Sequence, residues 1–155
     1  MNEVSADDLA DYLVQLFNGL DGLPVKFKAE NPEVVEIAAE QGDWVVKCIA
    51  FAESEDAEDR GDMCREELQV DVYVHGPLSE TFKKKQAVRL VRKLRRALRL
   101  TEFEFKHEEP EGDEDATTTF RWDRNETVNG LFDLDALTTK NQFLSMFRAT
   151  YFNFG

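Results

Sequence analysis

Asp56, Glu58, Gly61 and Glu67 stand at the first, third, sixth and twelfth places of a calcium-loop spacing, in which oxygen ligands surround a turn glycine. Arg60 occupies the fifth place, where another oxygen ligand belongs, and the flanks alternate as strands do instead of repeating as helices do. The spacing is therefore read as that of a charged hairpin tip. His75 and His107 each close a strand-like segment with no cysteine or second histidine at ligand spacing, which removes the commonest zinc clusters. Both read as solvent-edge histidines. Cys48 and Cys64 fall on neighbouring strand-like segments, so a cross-strand disulfide is conceivable without being implied. Paired carboxylates are abundant, yet acid–base work needs a cleft that shifts their pKa values, and exposed tips provide none. There is no glycine-rich nucleotide loop, no His-Glu-x-x-His helix and no Gly-x-Ser-x-Gly elbow. No catalytic residue, cofactor or metal ligand is assigned, and enzymatic activity is not expected.

The chemistry the sequence does offer is electrostatic. Its 155 residues carry 19 Lys and Arg against 32 Asp and Glu, a formal charge of −13, with 33% charged and 42% hydrophobic residues. That balance describes a folded domain with a heavily charged exterior. A chain of this length buries about 70% of its unfolded surface, enough for one domain over residues 1–155. The net field repels phosphate, which opposes general affinity for nucleic acid or anionic membrane. The charge is also segregated. Nine of the 19 basic residues, Lys83, Lys84, Lys85, Arg89, Arg92, Lys93, Arg95, Arg96 and Arg99, fall in one short segment. The acids gather in two loops, about 53–62 and 108–115, with Glu55, Asp56, Glu58 and Asp59 in the first and Asp113, Glu114 and Asp115 in the second. Such composition predicts exposed tips.

The elements that carry these charges follow from periodicity. Ser5 with Asp8 reads as a capping box ahead of Leu9, Tyr12, Leu13, Leu16, Phe17 and Leu20, which predicts a helix over 6–18. Asn18-Gly19 supplies a left-handed exit, and Gly22-Leu23-Pro24 prevents continuation. Val25 to Ala29 alternates as a strand, and Val34 to Ala39 reads as another. Two long strands follow, built on Trp44, Val46, Cys48 and Ala50 and on Leu68, Val70, Val72 and Val74, with the first acidic loop between them. Ser79 caps a helix whose apolar stripe is Phe82, Ala87, Leu90, Val91, Leu94 and Leu98, and whose other face holds the nine cations. Short strands are expected over 101–107 and 117–122, with a less regular stretch to Asn141. In the last segment Phe143, Phe147, Tyr151 and Phe154 fit a helical stripe as well as a strand, and aromatic and β-branched content selects the strand. Apolar on both faces, it is either a central, doubly covered strand or one whose Phe143, Phe147 and Tyr151 are completed by another subunit. The expected fold is α+β, a single domain of mainly antiparallel β-sheet packed by two amphipathic helices, with exposed acidic hairpin loops. The first residues lack the basic and apolar regions of a signal peptide, and no apolar run approaches a membrane span. A protein that stays in the cytoplasm, or leaves it inside a larger assembly, with no membrane partner, is the expectation.

The order of parts resembles the tail terminator, or tail completion, proteins of long-tailed bacteriophages. The residues that carry the likeness are the strand Glu67 to Val74, the helix Ala87 to Leu98, Trp122, and the closing run Phe143 to Tyr151. The likeness spans most of the chain, through patterns and not through a specific motif. It implies a structural virion protein that forms a ring, a hexamer in that family, at the head-proximal end of the tail tube. Such a ring ends tube polymerisation and joins the tail to the head connector. Its implied partners are its own copies, the tail tube protein and the connector or neck protein, with DNA passing through unbound. An acidic wall would agree with that passage, because it repels phosphate. The two acidic loops are longer and more acidic than the pattern asks.

The basic segment keeps three readings open: a solvated helix face, a phosphate-binding stripe, or a contact with an acidic surface on a neighbouring copy. In the last, Arg89, Arg92 and Arg96 are the subunit-interface candidates. Alternatives to the terminator are another phage neck or connector component, or a non-catalytic regulatory module that binds nucleic acid through this helix.

Overall fold

The computed structural model describes residues 5–23, 25–32, 44–56, 65–99, 101–107, 116–127 and 142–154. Helix α1 (Ala6–Asn18) starts at the expected capping box: Ser5 Oγ accepts from Asp8 N–H at 3.2 Å, and the Asp8 carboxylate accepts from Ser5 N–H at 2.8 Å. Loss of such a cap costs about 1 kcal/mol. Leu9, Leu13 and Phe17 recur at helical spacing and are fully buried. Gly19 ends the helix with φ −89, so the exit is right-handed, and the left-handed residue is Gly22 at φ 73. The turn forms three residues later than expected because Gly19 N–H still bonds back to Gln15 and Leu16.

Six strands make one sheet in the order β1-β2-β3-β6-β5-β4, where β1 is Phe27–Glu30, β2 Trp44–Asp56, β3 Arg65–Pro77, β4 Glu102–His107, β5 Ala116–Thr127 and β6 Gln142–Phe154. Every pairing is antiparallel except β1 with β2. The last segment is thus a strand, central and covered on both faces. The expectation over 34–39 lies outside the described residues. Trp44, Val46 and Cys48 of β2, Leu68, Val70, Val72 and Val74 of β3, Phe147, Ala149 and Tyr151 of β6, Phe120 of β5 and Phe103 of β4 share one face. Both helices pack on it. The sheet curls as a half-barrel around α1. Asn18 clamps the backbone of Ala29 in β1 with two hydrogen bonds of 2.9 and 3.2 Å, while Tyr12 stacks on Phe103 of the opposite edge strand at 4.6 Å.

Helix α2 (Lys84–Leu98) begins later than Ser79. Ser79 instead closes a tight turn, its Oγ accepting from Phe82 N–H at 3.0 Å, and this sets the Phe82 ring edge-on against Trp44 at 5.1 Å. Gly76, across from Trp44, is a close approach: a Cβ there would lie 2.2 Å from the indole. Ala87, Leu90, Val91, Leu94 and Leu98 form the buried stripe as expected.

Two β-bulges reverse the in–out alternation. Phe51 is the extra residue of β2, so Ala50 pairs with Val70 and Ala52 with Gln69. The reversal turns Glu53 to the helix face, where its carboxylate accepts from Ala6 N–H, one of the donors the start of α1 leaves open. In β5 the register shifts between Trp122 and Arg124, which turns Asn125 to the helix face. Asn125 accepts from Trp122 Nε1 at 3.0 Å and donates to the Arg95 carbonyl at 3.1 Å. Thr101 Oγ donates to the Leu98 carbonyl at 2.7 Å, which directs the Tyr151 hydroxyl to donate to Thr101 at 2.6 Å. The end of α2 is thereby tied to β5 and β6.

Candidate interaction surface

Helix α2 contains no acid, and Lys84, Lys85, Arg89, Arg92, Lys93 and Arg96 are exposed along it, with Lys83 and Arg99 exposed at its ends. None of these eight makes an ion pair with a described residue. Arg95 alone turns inward, to the Asn125 carbonyl at 3.5 Å, Thr127 Oγ at 3.4 Å and the Phe147 ring at 5.8 Å. The stripe opposes the helix that carries it. Lys85–Arg89, Arg89–Lys93 and Arg92–Arg96 are like-charge pairs four residues apart, each destabilising by about 0.2–0.5 kcal/mol. Lys84 and Lys85 sit at the positive end of the macrodipole, where acids are favoured and none is present. An exposed apolar residue, Val88 at 37% exposure, lies among the cations. Arg89, Arg92 and Arg96 thus share one open surface with an apolar centre.

The ion pairs among the described residues all lie on the sheet: Arg121 with Glu102, Arg124 with Asp123 and Glu126, and Arg148 with Asp71. The last joins β3 to β6 on the face that carries no helix, with bonds of 2.8 and 3.5 Å. The Arg148 guanidinium also stacks on Phe51 at 3.5 Å, and Phe51 is 52% exposed. Lys47, Asp71, His75, Gln142 and Thr150, the buried polar residues among those described, all belong to this helix-free face. Tyr73, between Lys47 and Met146 in register, has its phenol pushed above the usual range by burial, then by Asp71, with Arg148 acting the other way.

Several expected site residues are placed differently. Phe147 and Tyr151 are buried in the chain's own core beneath the helices, and Phe143 is half-buried against Trp44 at 5.9 Å. Phe147 and Tyr151 hold the subunit together and offer no face to a neighbour. Glu55 and Asp56, expected in a loop, lie in β2 opposite Glu66 and Arg65, because the bulge at Phe51 lets the strand run on after its alternation breaks. Glu58, Asp59, Asp113, Glu114 and Asp115 lie outside the described residues, as do Cys64 and the centre of the calcium-like spacing. Cys48 is a free, buried thiol, pushed above its ordinary pKa by burial. His75 is not at the solvent edge: it is buried between Val45 and Leu144 on the helix-free face. His107 ends β4 as expected. Among the described residues no group of three His, Cys, Asp or Glu is placed to hold a metal, and no helix is long and apolar enough to cross a membrane.

Sequence reasoning missed the Phe51–Arg148–Asp71 stack, since a bulge that aims Phe51 leaves no mark in residue type. Comparison with models of known protein families finds no match, and comparison with curated proteins finds none either.

Proposed function

We propose that this chain is a structural, ring-forming subunit of a phage tail or neck. It would sit at the head-proximal end of a tail tube, end tube growth and join the tail to the head connector. The observation that carries this reading is the α2 surface: eight exposed cations with no ionic partner among the described residues, on a chain of net charge −13. A surface that works against its own helix gains its stabilisation from a partner of opposite sign, and copies of an acidic chain provide one. The element order, a helix and a long hairpin before a second helix and three closing strands, is the order on which the terminator resemblance rests. The residual net charge suits a ring that DNA traverses without sticking.

The test is assembly. Light scattering on the purified chain at tens of micromolar is expected to give a closed oligomer, six copies in the terminator reading, and electron microscopy to show rings. Added to polymerising tail tube protein, the chain is expected to shorten the tubes. A monomer at all concentrations with no effect on tube length refutes the reading. The α2 stripe also favours a second reading, a module that binds nucleic acid. That reading expects duplex affinity to fall by roughly 10³-fold or more between 50 and 200 mM salt if about six phosphates are contacted.

A further inference from the structure

Helix α1 is the electrostatic complement of α2. It contains Asp7, Asp8 and Asp11 and no basic residue, and the Glu53 carboxylate adds to its N-terminal end. Asp7 and Asp11 are exposed. No lysine or arginine occurs in the sequence before Lys26. The two helices are also close in length, 13 residues against 15. They lie on the same face of the sheet, α1 over β1 to β3 and α2 against β6, with their polar sides outward.

We infer that the outer face of α2 docks on the outer face of α1 in a second copy of this chain. The inference rests on the ring reading above and names the contact that builds the ring. In a ring this contact is head-to-tail, α2 of one copy meeting α1 of the next, and each subunit keeps one free patch of each sign until the ring closes. At physiological ionic strength charges more than about 8 Å apart are largely screened, so two approaching copies respond to the local patches and not to their equal net charges. Asp8 is bound up in the cap of α1, which leaves Asp7 and Asp11 as the acids that face outward. Arg89, Arg92 and Arg96 are their counterparts, and Val88 supplies the apolar centre that an otherwise ionic contact needs. Nucleic acid is the less suited occupant: the polar side of α2 carries no aromatic to stack a base, and Gln86 is its only neutral hydrogen-bonding side chain.

The test is a charge swap read by light scattering. Arg92→Glu with Arg96→Glu is expected to weaken self-association by roughly 100-fold or more, giving monomer where wild type is oligomeric, with an unchanged circular dichroism spectrum. Asp7→Lys with Asp11→Lys is expected to do the same. All four substitutions in one chain are expected to restore the wild-type mass, as is a one-to-one mixture of the two monomeric variants. Should a reversal misfold, Arg92→Gln with Arg96→Gln reads the same contact through a smaller loss. If wild type is oligomeric and the reversals leave its mass unchanged, or the four-fold variant stays monomeric, this contact is wrong while the ring reading stands. If wild type is monomeric throughout, the ring reading fails and the contact with it. Duplex DNA binding that the α2 reversal abolishes, with oligomer mass unchanged, assigns the surface to nucleic acid and overturns the inference.

Discussion

Gly76→Ala tests how tightly the core is closed at the end of the sheet where α2 begins. The new Cβ would stand 2.2 Å from Trp44 Cδ2 and 2.6 Å from Cγ and Cε2, where carbon atoms prefer about 3.5 Å or more. Trp44 must therefore retreat by roughly 1.3 Å, the difference between about 3.5 Å and 2.2 Å. It has little room, being buried with Phe82 edge-on at 5.1 Å and Phe143 at 5.9 Å. Overpacking of this kind costs about 1–3 kcal/mol. In a chain of this size that lowers Tm by roughly 2–12 °C, since each kcal/mol is worth about 2–4 °C. The assay is thermal melting followed by Trp44 emission in a Trp122→Phe background, so that a moved indole also reports through its fluorescence. Gly22→Ala is the contrast: φ is 73 there and nothing lies within 4 Å, so backbone strain alone, about 1–2 kcal/mol, is lost without any change in Trp44 emission. Melting of Gly76→Ala within a degree of wild type, with unchanged emission, refutes the packing argument.

Asp71→Ala leaves the Arg148 guanidinium with only the Phe51 ring among the described residues, and urea titration is expected to register a loss of about 3 kcal/mol, the low end for a broken buried pair because the Arg148 side chain keeps 20% exposure. Asp71→Leu with Arg148→Met is expected to lie much nearer wild type; an equally large loss would show that the pair's worth is not electrostatic. Asn125→Ala strips partners from Trp122 Nε1 and the Arg95 carbonyl, a loss of about 1–2 kcal/mol, and hydrogen exchange in the last turn of α2 is expected to speed up ahead of the rest of the helix. Alkali is expected to destabilise the fold. Burial raises the Cys48 thiol above its ordinary 9.0 and the Tyr151 phenol above 10.0, so the folded chain keeps protons that the unfolded chain gives up. The stabilisation is whole below about pH 9 and falls as pH rises, by at most about 1.4 kcal/mol per pH unit for each group. Cys48→Val with Tyr151→Phe is expected to flatten the profile, and an unchanged slope would remove these groups as its cause.

Both helices and the β2–β3 hairpin are legible in the sequence because each buries one regular stripe: Leu9, Leu13 and Phe17 at helical spacing, Val70, Val72 and Val74 at alternating spacing. Errors gather where regularity is broken on purpose. The bulges at Phe51 and Asp123 invert the alternation, so a reading by period ends both strands early and assigns Glu55 and Asp56 to a loop. The same inversions aim Glu53 and Asn125 at the two helices, which no residue count along the chain could foresee. Phe147 and Tyr151 illustrate a different limit. An aromatic face looks alike in sequence whether the chain covers it or a neighbour does, and only the placement of both helices on one face decides it. The α2 surface is legible because nine cations in one segment need no long-range contact to be seen. Its complement on α1 is not, because its acids look like an ordinary helix start until the two helices are placed side by side.

The ionic groups divide by task. Asp71, Lys47 and His75 are buried, and Arg148 half-buried, on the helix-free face of three adjacent strands. A slip of one residue between any two of these strands would move a charge under the helices among Val46, Val72 and Phe147, where an unpaired charge costs several kcal/mol. These groups therefore specify register, and replacing them changes stability. Arg95 apart, the α2 cations specify nothing inside the chain: they make no ion pair with a described residue, and their mutual repulsion costs the helix stability. Charge reversal there should leave the fold as stable as before or slightly more so, while altering whatever the surface meets. A variant such as Arg92→Glu with Arg96→Glu that lost stability and association together would break this division, since the same charges would then be holding the subunit as well as its neighbour.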